Sequence, residues 1–386
     1  IINNSKSNNR ALYVVRVANR YIVTFILLLM QASAFTREIK IDLEATVQGS
    51  RVLEEEPGRI RISSSISLVR ISETAIRQDT FFRLLADGYT PNYVPGEPEL
   101  PVRNQLIEYP PNSIPEINII SWREDTVRLI EFGISSKLYP SQPSASKRSS
   151  NETLPLLFDS VAYNNIKYEA NELVRFRPVG SSRGTGVGMI TLSPFRYYPE
   201  ADLLIIMNNL VFEISWPVAA ETAYKSARSH LQSDLFDRSL QTLMYSSAPV
   251  AMPVSSGKPV KYIILSDSLF MDCLQPFIQW KTRKGFEIIE LYRGAPEVGQ
   301  TMEEMKATLK SLYDAATDED PAPLFLLIAG DVEHIPPSKD FGELTDLYYA
   351  EYDGDGDYLP ELFYGRFSAA DTAEMRIIIE KSLQHE

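Results

Sequence analysis

A single cysteine, Cys273, is all the thiol this 386-residue chain carries, so no intrachain disulfide can form. A small disulfide-stapled scaffold is therefore excluded, and stability must come from burial. Histidine is nearly as scarce, with only His230, His334 and His385. There is no Gly-x-Ser-x-Gly and no His-Glu-x-x-His, so neither a nucleophile elbow nor a paired-histidine zinc site is written in the sequence. The apolar run Tyr21–Met30 is about half the ~20 residues that a spanning helix needs.

What is present suits a globular protein of two or three domains. Hydrophobic residues make up 44% and charged residues 23%, a mix that can bury sizeable cores. The net charge of −13 is placed unevenly. From Lys258 onward 12 basic residues face 25 acidic ones, while the charges before that point cancel. An acidic C-terminal part repels nucleic acid, which removes that class of partner, and it favours hard cations.

The N-terminal stretch has the order of an export signal. Arg10, Arg16 and Arg20 precede the apolar run, and Ala32-Ser33-Ala34 follows as a small-residue cleavage site ending at Ala34. The expectation is a signal region over 1–34 and a product with no stable membrane span, secreted or held at the cell surface. The chain does not begin with Met and finishes in a helical pattern without a stop signal, so both ends are expected to be cuts in a longer reading frame.

Residues 35–217 read as a β-rich, sandwich-like domain. Short alternating runs such as Arg59–Ile66, Glu116–Ser121, Val127–Ile134 and Leu203–Trp216 are separated by Pro, Gly, Asn and Ser clusters. Pro91–Pro101 is expected to be a connector. Ser141–Glu152 reads as an exposed polar loop centred on Lys147-Arg148. Gly180–Gly188 is glycine-rich but lacks the Gly-Lys-Ser/Thr ending of a phosphate loop, so it reads as a turn.

A helical and Pro-rich linker is expected over 218–259. Ala219–Met244 carries the helical period of one surface helix, with Leu231, Leu235, Leu240 and Leu243 as its apolar stripe. Three prolines in Ser246–Pro259 then mark the domain boundary. From residue 260 the pattern changes to apolar strands alternating with helices: Val260–Leu265, Leu269–Lys284, Phe286–Tyr292, Met302–Ala316 and Leu324–Ala329. Strands this apolar predict a mainly parallel sheet covered on both faces, with Gly285 as a helix C-cap.

In such sheets ligands lie beyond the carboxyl ends of the strands. Gly330-Asp331 arrives there, and Asp331 can be catalytic, bind metal or cap a turn. Farther on, Tyr352–Glu361 holds Asp353, Asp355, Asp357 and Glu361, the first three separated by glycines. Such a loop can aim oxygens at a hard cation or remain a solvated acidic turn. It is not an EF-hand, because Tyr358 and Tyr364 stand where Gly and Glu are required. Arg366, on the strand predicted over Leu362–Ser368 ahead of a final helix at Asp371–His385, needs an acidic partner from these loops. Cys273 lies between Phe270 and Leu274 in a helix, the setting of a buried hydrophobe rather than a nucleophile.

Several segments in one order resemble the gingipain-type cysteine peptidases, peptidase family C25. They are Tyr262–Leu265, Phe277–Gly285 (FIQWKTRKG), Leu326–Pro336 (LLIAGDVEHIP), Thr345–Tyr349 and Asp357–Ser368 (DYLPELFYGRFS). Gly96–Pro101 and Val187–Pro199 carry a weaker likeness to the family's propeptide. The resemblance implies a caspase-like α/β peptidase domain, of which residues 260–386 are the first subdomain only. It places the catalytic His and Cys beyond Glu386, so no residue here is expected to be catalytic. It also implies Ca2+ near Asp331, Asp353, Asp355, Asp357 and Glu361. The β-rich domain would be a propeptide that partners the peptidase domain and keeps it latent. Lys147, Arg148, Arg228 and Arg238 are then candidate cleavage or pocket-blocking positions.

The expected function is that of the N-terminal part of a secreted cysteine endopeptidase zymogen acting on protein substrates, inactive as this chain. Two alternatives stand beside it: a sortase-like member of the family acting on exported proteins, and a non-enzymatic surface binding or scaffold protein with an inactive peptidase-like domain.

Overall fold

The computed structural model describes residues 38–45, 48–76, 79–144, 155–164, 173–245, 260–340, 343–354 and 356–385. The signal region with Ala34, the loop positions Lys147 and Arg148, and Asp355 lie outside the described residues.

The first unit is built from β1 (Glu38–Asp42), β2 (Gly49–Glu56), β3 (Arg59–Ser65), β4 (Leu68–Ile76), β5 (Asp79–Ala86), β6 (Thr90–Pro91), β7 (Pro101–Tyr109), β8 (Glu116–Arg128) and β9 (Lys137–Leu138). The short helix α1 (Ser160–Asn164) follows, then β10 (Val174–Ser182), β11 (Thr185–Leu192), β12 (Phe195–Tyr198) and β13 (Leu203–Ser215). They form three sheets, ordered β1-β4-β5-β9, β10-β11-β7-β6 and β12-β13-β3-β2, with β8 also paired to β13.

The long strand β13 shows why the layers stack. Its residues alternate strictly between half-buried and buried, so one face of the strand enters the core. Leu204 and Ile206 on that face join a cluster with Val69, Ile71, Phe82 and Leu84 of the first sheet. Leu210, Phe212 and Ile214, farther along the same face, join Ile107, Ile190 and Leu192 of the second. One face of the third sheet is thus covered by the other two.

Asn208 interrupts the apolar register and is fully buried. Its Oδ1 accepts from Ile66 N at 2.8 Å, while its Nδ2 donates to Ile66 O at 2.8 Å and to Asp125 Oδ2 at 2.7 Å. A buried amide satisfied this fully is tolerated. Next to it Asn209 takes a left-handed φ of 48°, where the pairing of β13 with β8 shifts register.

Two expectations fail here for identifiable reasons. Glu116–Ser121 and the start of Val127–Ile134 belong to one 13-residue strand, β8, and Leu129–Phe132 is a 3-10 turn closed by Gly133 at a φ of 72°. Asp202 holds that turn, accepting from Ile130 N at 2.8 Å, a tertiary contact that alternation does not encode. The single helix expected over Ala219–Met244 is two, α2 (Val218–Ala227) and α3 (Asp234–Gln241), joined by a 3-10 turn at Ser229–Leu231. Leu235 and Leu243 are exposed, and the helices bury Tyr224 and Phe236 instead.

The second unit runs β14 (Val260–Ser266), α4 (Met271–Arg283), β15 (Phe286–Tyr292), α5 (Met302–Asp314), β16 (Phe325–Ala329), a small hairpin of β17 (Ser338–Asp340) and β18 (Glu343–Thr345), β19 (Phe363–Phe367) and α6 (Thr372–His385). Its four-stranded sheet has the order β15-β14-β16-β19, with every neighbour parallel. Ile263, Leu265, Leu326 and Ile328 pack under α5 through Met305 and Leu309. Ile264 and Leu327 point the other way, onto Phe277 of α4 and Met375 and Ile379 of α6. Both faces are buried, so the strands read as continuous apolar runs. Gly285 closes α4 at a φ of 94°, and a Thr301–Glu304 capping box opens α5.

Candidate functional site

The chain leaves β14 for one edge of the parallel sheet and returns on the other side through β16. The switch point therefore lies between these two strands, above their carboxyl ends. Ser266 and Asp267 come from β14, Gly330 to Pro336 from β16, and Ser368 from β19. Asp331 accepts from Ser368 Oγ at 2.9 Å and from Val332 N at 2.8 Å. These hydrogen bonds, the backbone one first, hold its carboxyl below the usual range. Asp331 thus works as a cap that ties two strand ends together.

His334 sits at the same rim, edge-on to Phe270, with Nδ1 3.5 Å from Asp267 Oδ2. Its Nε2 is 3.1 Å from Ala370 O, which can only accept, so that nitrogen carries the proton. The ring is engaged on both sides. Cys273 is buried on α4, its Sγ 3.8 Å from Thr372 O of α6. Neither residue meets the other in a nucleophile–base pair, so the rim is scaffold without a thiol–imidazole dyad.

The acidic loop lies where the two units meet. The hairpin of β10 and β11 turns through Arg183-Gly184 and enters the second unit, so the turn expected over Gly180–Gly188 is a docking element. Ser181 N donates to Asp357 Oδ2 at 2.6 Å, Ser181 Oγ donates to Asp353, and Ser182 Oγ donates to Pro360 O at 2.5 Å. Arg183 is 1% exposed. Its Nε donates to Leu231 O at 2.7 Å, and its Nη1 donates to Pro323 O and Glu361 O, both at 2.9 Å. The guanidinium also faces the rings of Phe236 and Tyr313 at 5.5 and 5.6 Å.

Glu361 is fully buried beside this contact. Its Oε2 accepts from Tyr352 N at 2.8 Å, but its Oε1 has no hydrogen-bond partner. Burial, then the nearby Asp353 charge, pushes its carboxyl up to about 9. Of the five expected metal ligands, Asp353 and Asp357 are engaged by Ser181, Glu361 lies beneath them, Asp331 accepts from Ser368 through Oδ1, and Asp355 lies outside the described residues. Among the described residues no group of three or more His, Cys, Asp or Glu side chains is placed to hold a metal ion.

The basic candidates also divide. Arg228 is buried, 3.1 Å from Glu108 Oε1 and 3.2 Å from Asp237 Oδ1, so a protease could not reach it without unfolding α2 and α3. It forms a structural ion pair with these two carboxylates. Arg238 is half-buried on α3, its Nε 3.4 Å from Asp234 O. Sequence reasoning missed Arg183 altogether. An arginine beside a glycine reads as a solvated turn, and only the fold shows what it reaches.

Comparison with known proteins now decides the family. The model for peptidase family C25 matches residues 255–386, and the companion model for the C25 propeptide matches residues 47–235. The chain belongs to peptidase family C25. Within it, Lys-gingipain of Porphyromonas gingivalis is 29% identical over 360 residues, 93% of this chain and 21% of that protein. Gingipain R2 of the same organism is 20% identical over 250 residues, covering 64% of this chain and 33% of that one. The chain thus spans about a fifth of the length of the Lys-gingipains it matches. Among solved structures, one describing the zymogenic latency of gingipain K is 28% identical with a TM-score of 0.43, covering 47% of this chain and 99% of that chain. A complex of the pro- and mature domains of RgpB is 14% identical with a TM-score of 0.38, covering 44% and 84%. In C25 terms, the β-rich unit is the propeptide part and the parallel-sheet unit a partial peptidase domain. Among the described residues no helix is long and apolar enough to cross a membrane.

Proposed function

We propose that this chain is the latency and scaffold part of a secreted cysteine endopeptidase precursor that cuts protein substrates. The observation that carries the reading is the direct docking of the propeptide hairpin, through Ser181 and Arg183, into the acidic loop of the peptidase unit. The burial of the sequence's one thiol, Cys273, against Thr372 supports placing the attacking Cys and its His downstream of this chain. A His-activated thiolate attacking a peptide carbonyl, with backbone N–H groups on the oxyanion, is the chemistry the family implies.

Export through the N-terminal Arg-rich and apolar segment, with cleavage after Ala34, fits this role. Processing at Lys147-Arg148 or Arg238 would release latency. For Ca2+, the orphaned Oε1 of Glu361 supports a site on the acidic loop, with Asp353 and Asp357 as the other donors of the described part once Ser181 has left them. A bound Ca2+ would offset the charge of these carboxylates and fix the loop.

The test is thiol-dependent proteolysis by the full-length precursor before and after removal of residues 1–245, beside the 386-residue chain alone. Activity is expected only from the precursor after removal. Activity from this chain by itself, or none from the processed precursor, would refute the reading.

A further inference from the structure

The β10–β11 turn is a two-residue hairpin with left-handed φ at both positions, 49° at Arg183 and 73° at Gly184. Turns of this kind favour Asn or Gly first, because a β-carbon costs roughly 1 kcal/mol in the left-handed region. Arginine has no local reason to stand there. Its side chain supplies the reason, since it leaves the β-rich unit and is buried against three carbonyls from elsewhere. Pro323 O and Glu361 O belong to the peptidase unit and Leu231 O to the turn between α2 and α3. All three acceptors are main-chain atoms held by the fold, so the socket exists only when these segments are correctly assembled. Phe236 bridges the same point, its ring 4.8 Å from that of Phe363 on the edge strand β19.

The geometry points to a guanidinium-reading socket on the peptidase unit, built from Pro323 O, Glu361 O and the ring of Tyr313, through which that unit recognises its own propeptide by Arg183, with Leu231 O and the ring of Phe236 on the propeptide side aiming the guanidinium into it. This deepens the latency reading and rests on it. Arginine spreads its donors over a planar fork and reaches acceptors that arrive from different directions, whereas lysine offers one compact ammonium. Ser181 and Ser182 add hydrogen bonds to Asp357 and Pro360 but no comparable specificity, since a backbone N–H and a hydroxyl are available at any serine. None of these contacts involves the segment between residues 245 and 260. A cut in that segment therefore leaves the propeptide docked, and release is governed by the socket.

The test uses the full chain with a specific protease recognition sequence placed within residues 251–256. After cutting, the two parts are expected to co-elute in size-exclusion chromatography, and Arg183→Lys is expected to weaken their association at least about tenfold. Equal association of the Arg183→Lys and unsubstituted parts would overturn the proposal. Should that variant fail to fold, the cut unsubstituted complex is challenged with arginine amide or lysine amide at equal ionic strength. Selective dissociation by arginine amide supports the socket, and equal effects of the two overturn it. No peptidase assay enters, so a precursor without thiol-dependent proteolysis would sink the latency reading and leave this result standing.

Discussion

Arg366 closes on Asp346 through two hydrogen bonds, Nε to Oδ2 at 2.9 Å and Nη2 to Oδ1 at 2.6 Å. Its remaining donor, Nη1, reaches Gly330 O at 2.8 Å and Ile335 O at 2.9 Å. One guanidinium on β19 therefore pins both ends of the segment that follows β16 and the segment that carries Asp346. Both side chains are largely buried, at 12% and 18% exposed, so removing one strands the other. Asp346→Ala should lower the stability of the peptidase unit by about 2–4 kcal/mol, with Asp346→Asn costing less. Denaturant unfolding of the full chain measures this, and a loss below about 0.5 kcal/mol would show that the clamp is not structural.

Cys273 should prove chemically quiet. It is 6% exposed, between Phe270 and Leu274 on the face of α4 that packs against α6. Cys273→Ala removes one small buried group and should cost about 1 kcal/mol, as small core deletions do. In the full-length precursor it should leave thiol-dependent proteolysis unchanged. Native-state alkylation should be slow and should accelerate only on unfolding. Fast labelling of the folded chain, or loss of peptidase activity in the variant, would make Cys273 more than a core residue.

The sequence makes the parallel sheet legible because its central strands, β14 and β16, are buried on both faces. An apolar run such as Leu324–Ala329 has one structural meaning when helices flank it, and the observed strand, Phe325–Ala329, differs by a single residue. The edge strand Phe286–Tyr292 also coincides with its expected bounds, although only Leu291 in it is buried. The β-rich unit is harder. There Asp202, far along the chain, decides that Leu129–Phe132 turns instead of extending. The acidic loop was legible as a concentration of carboxylates, but its occupant was not. Nothing in Ser181-Ser182-Arg183 announces a partner 170 to 180 residues away. The burial of Arg228 was not legible either, because charge patterning reports solvation by default, whereas Glu108 and Asp237 pair with it in the fold.

A second acid–base contact anchors the entry to α2. Glu221 accepts from Gly58 N at 2.6 Å, Trp216 Nε1 at 3.0 Å and Lys225 Nζ at 2.5 Å. Burial pushes its carboxyl up, but these hydrogen bonds outweigh that and hold it below its ordinary value. A depressed folded-state value means that the stabilisation is present above the unfolded value near 4.5 and is lost as pH falls through the lower folded value. Glu221→Gln should therefore destabilise the β-rich unit at pH 7 and make little difference near pH 3. Thermal unfolding of both forms at the two pH values measures it; an equal loss at both would mean that packing, not ionisation, accounts for the effect.

Glu361 should behave in the opposite sense. Its folded-state value of about 9 stands above the unfolded value near 4.5, so the folded chain holds a proton that the unfolded chain releases between those limits. Stability then falls as pH rises through that window, because ionising the side chain leaves Oε1 buried, charged and without a partner near Asp353 and Asp357. Glu361→Gln keeps an acceptor for Tyr352 N and cannot ionise. In the presence of a chelator it should match the unsubstituted chain at pH 5 and exceed it at pH 8 by on the order of 1–3 kcal/mol. Added Ca2+ should shrink that advantage at pH 8 if the acidic loop takes the cation, since the ion stabilises the carboxylate more than the neutral amide. Thermal melts of both chains at the two pH values, with chelator or with Ca2+, give all four comparisons. An advantage for Glu361→Gln that is the same at pH 5 and pH 8 would sink the assignment of a neutral, buried Glu361.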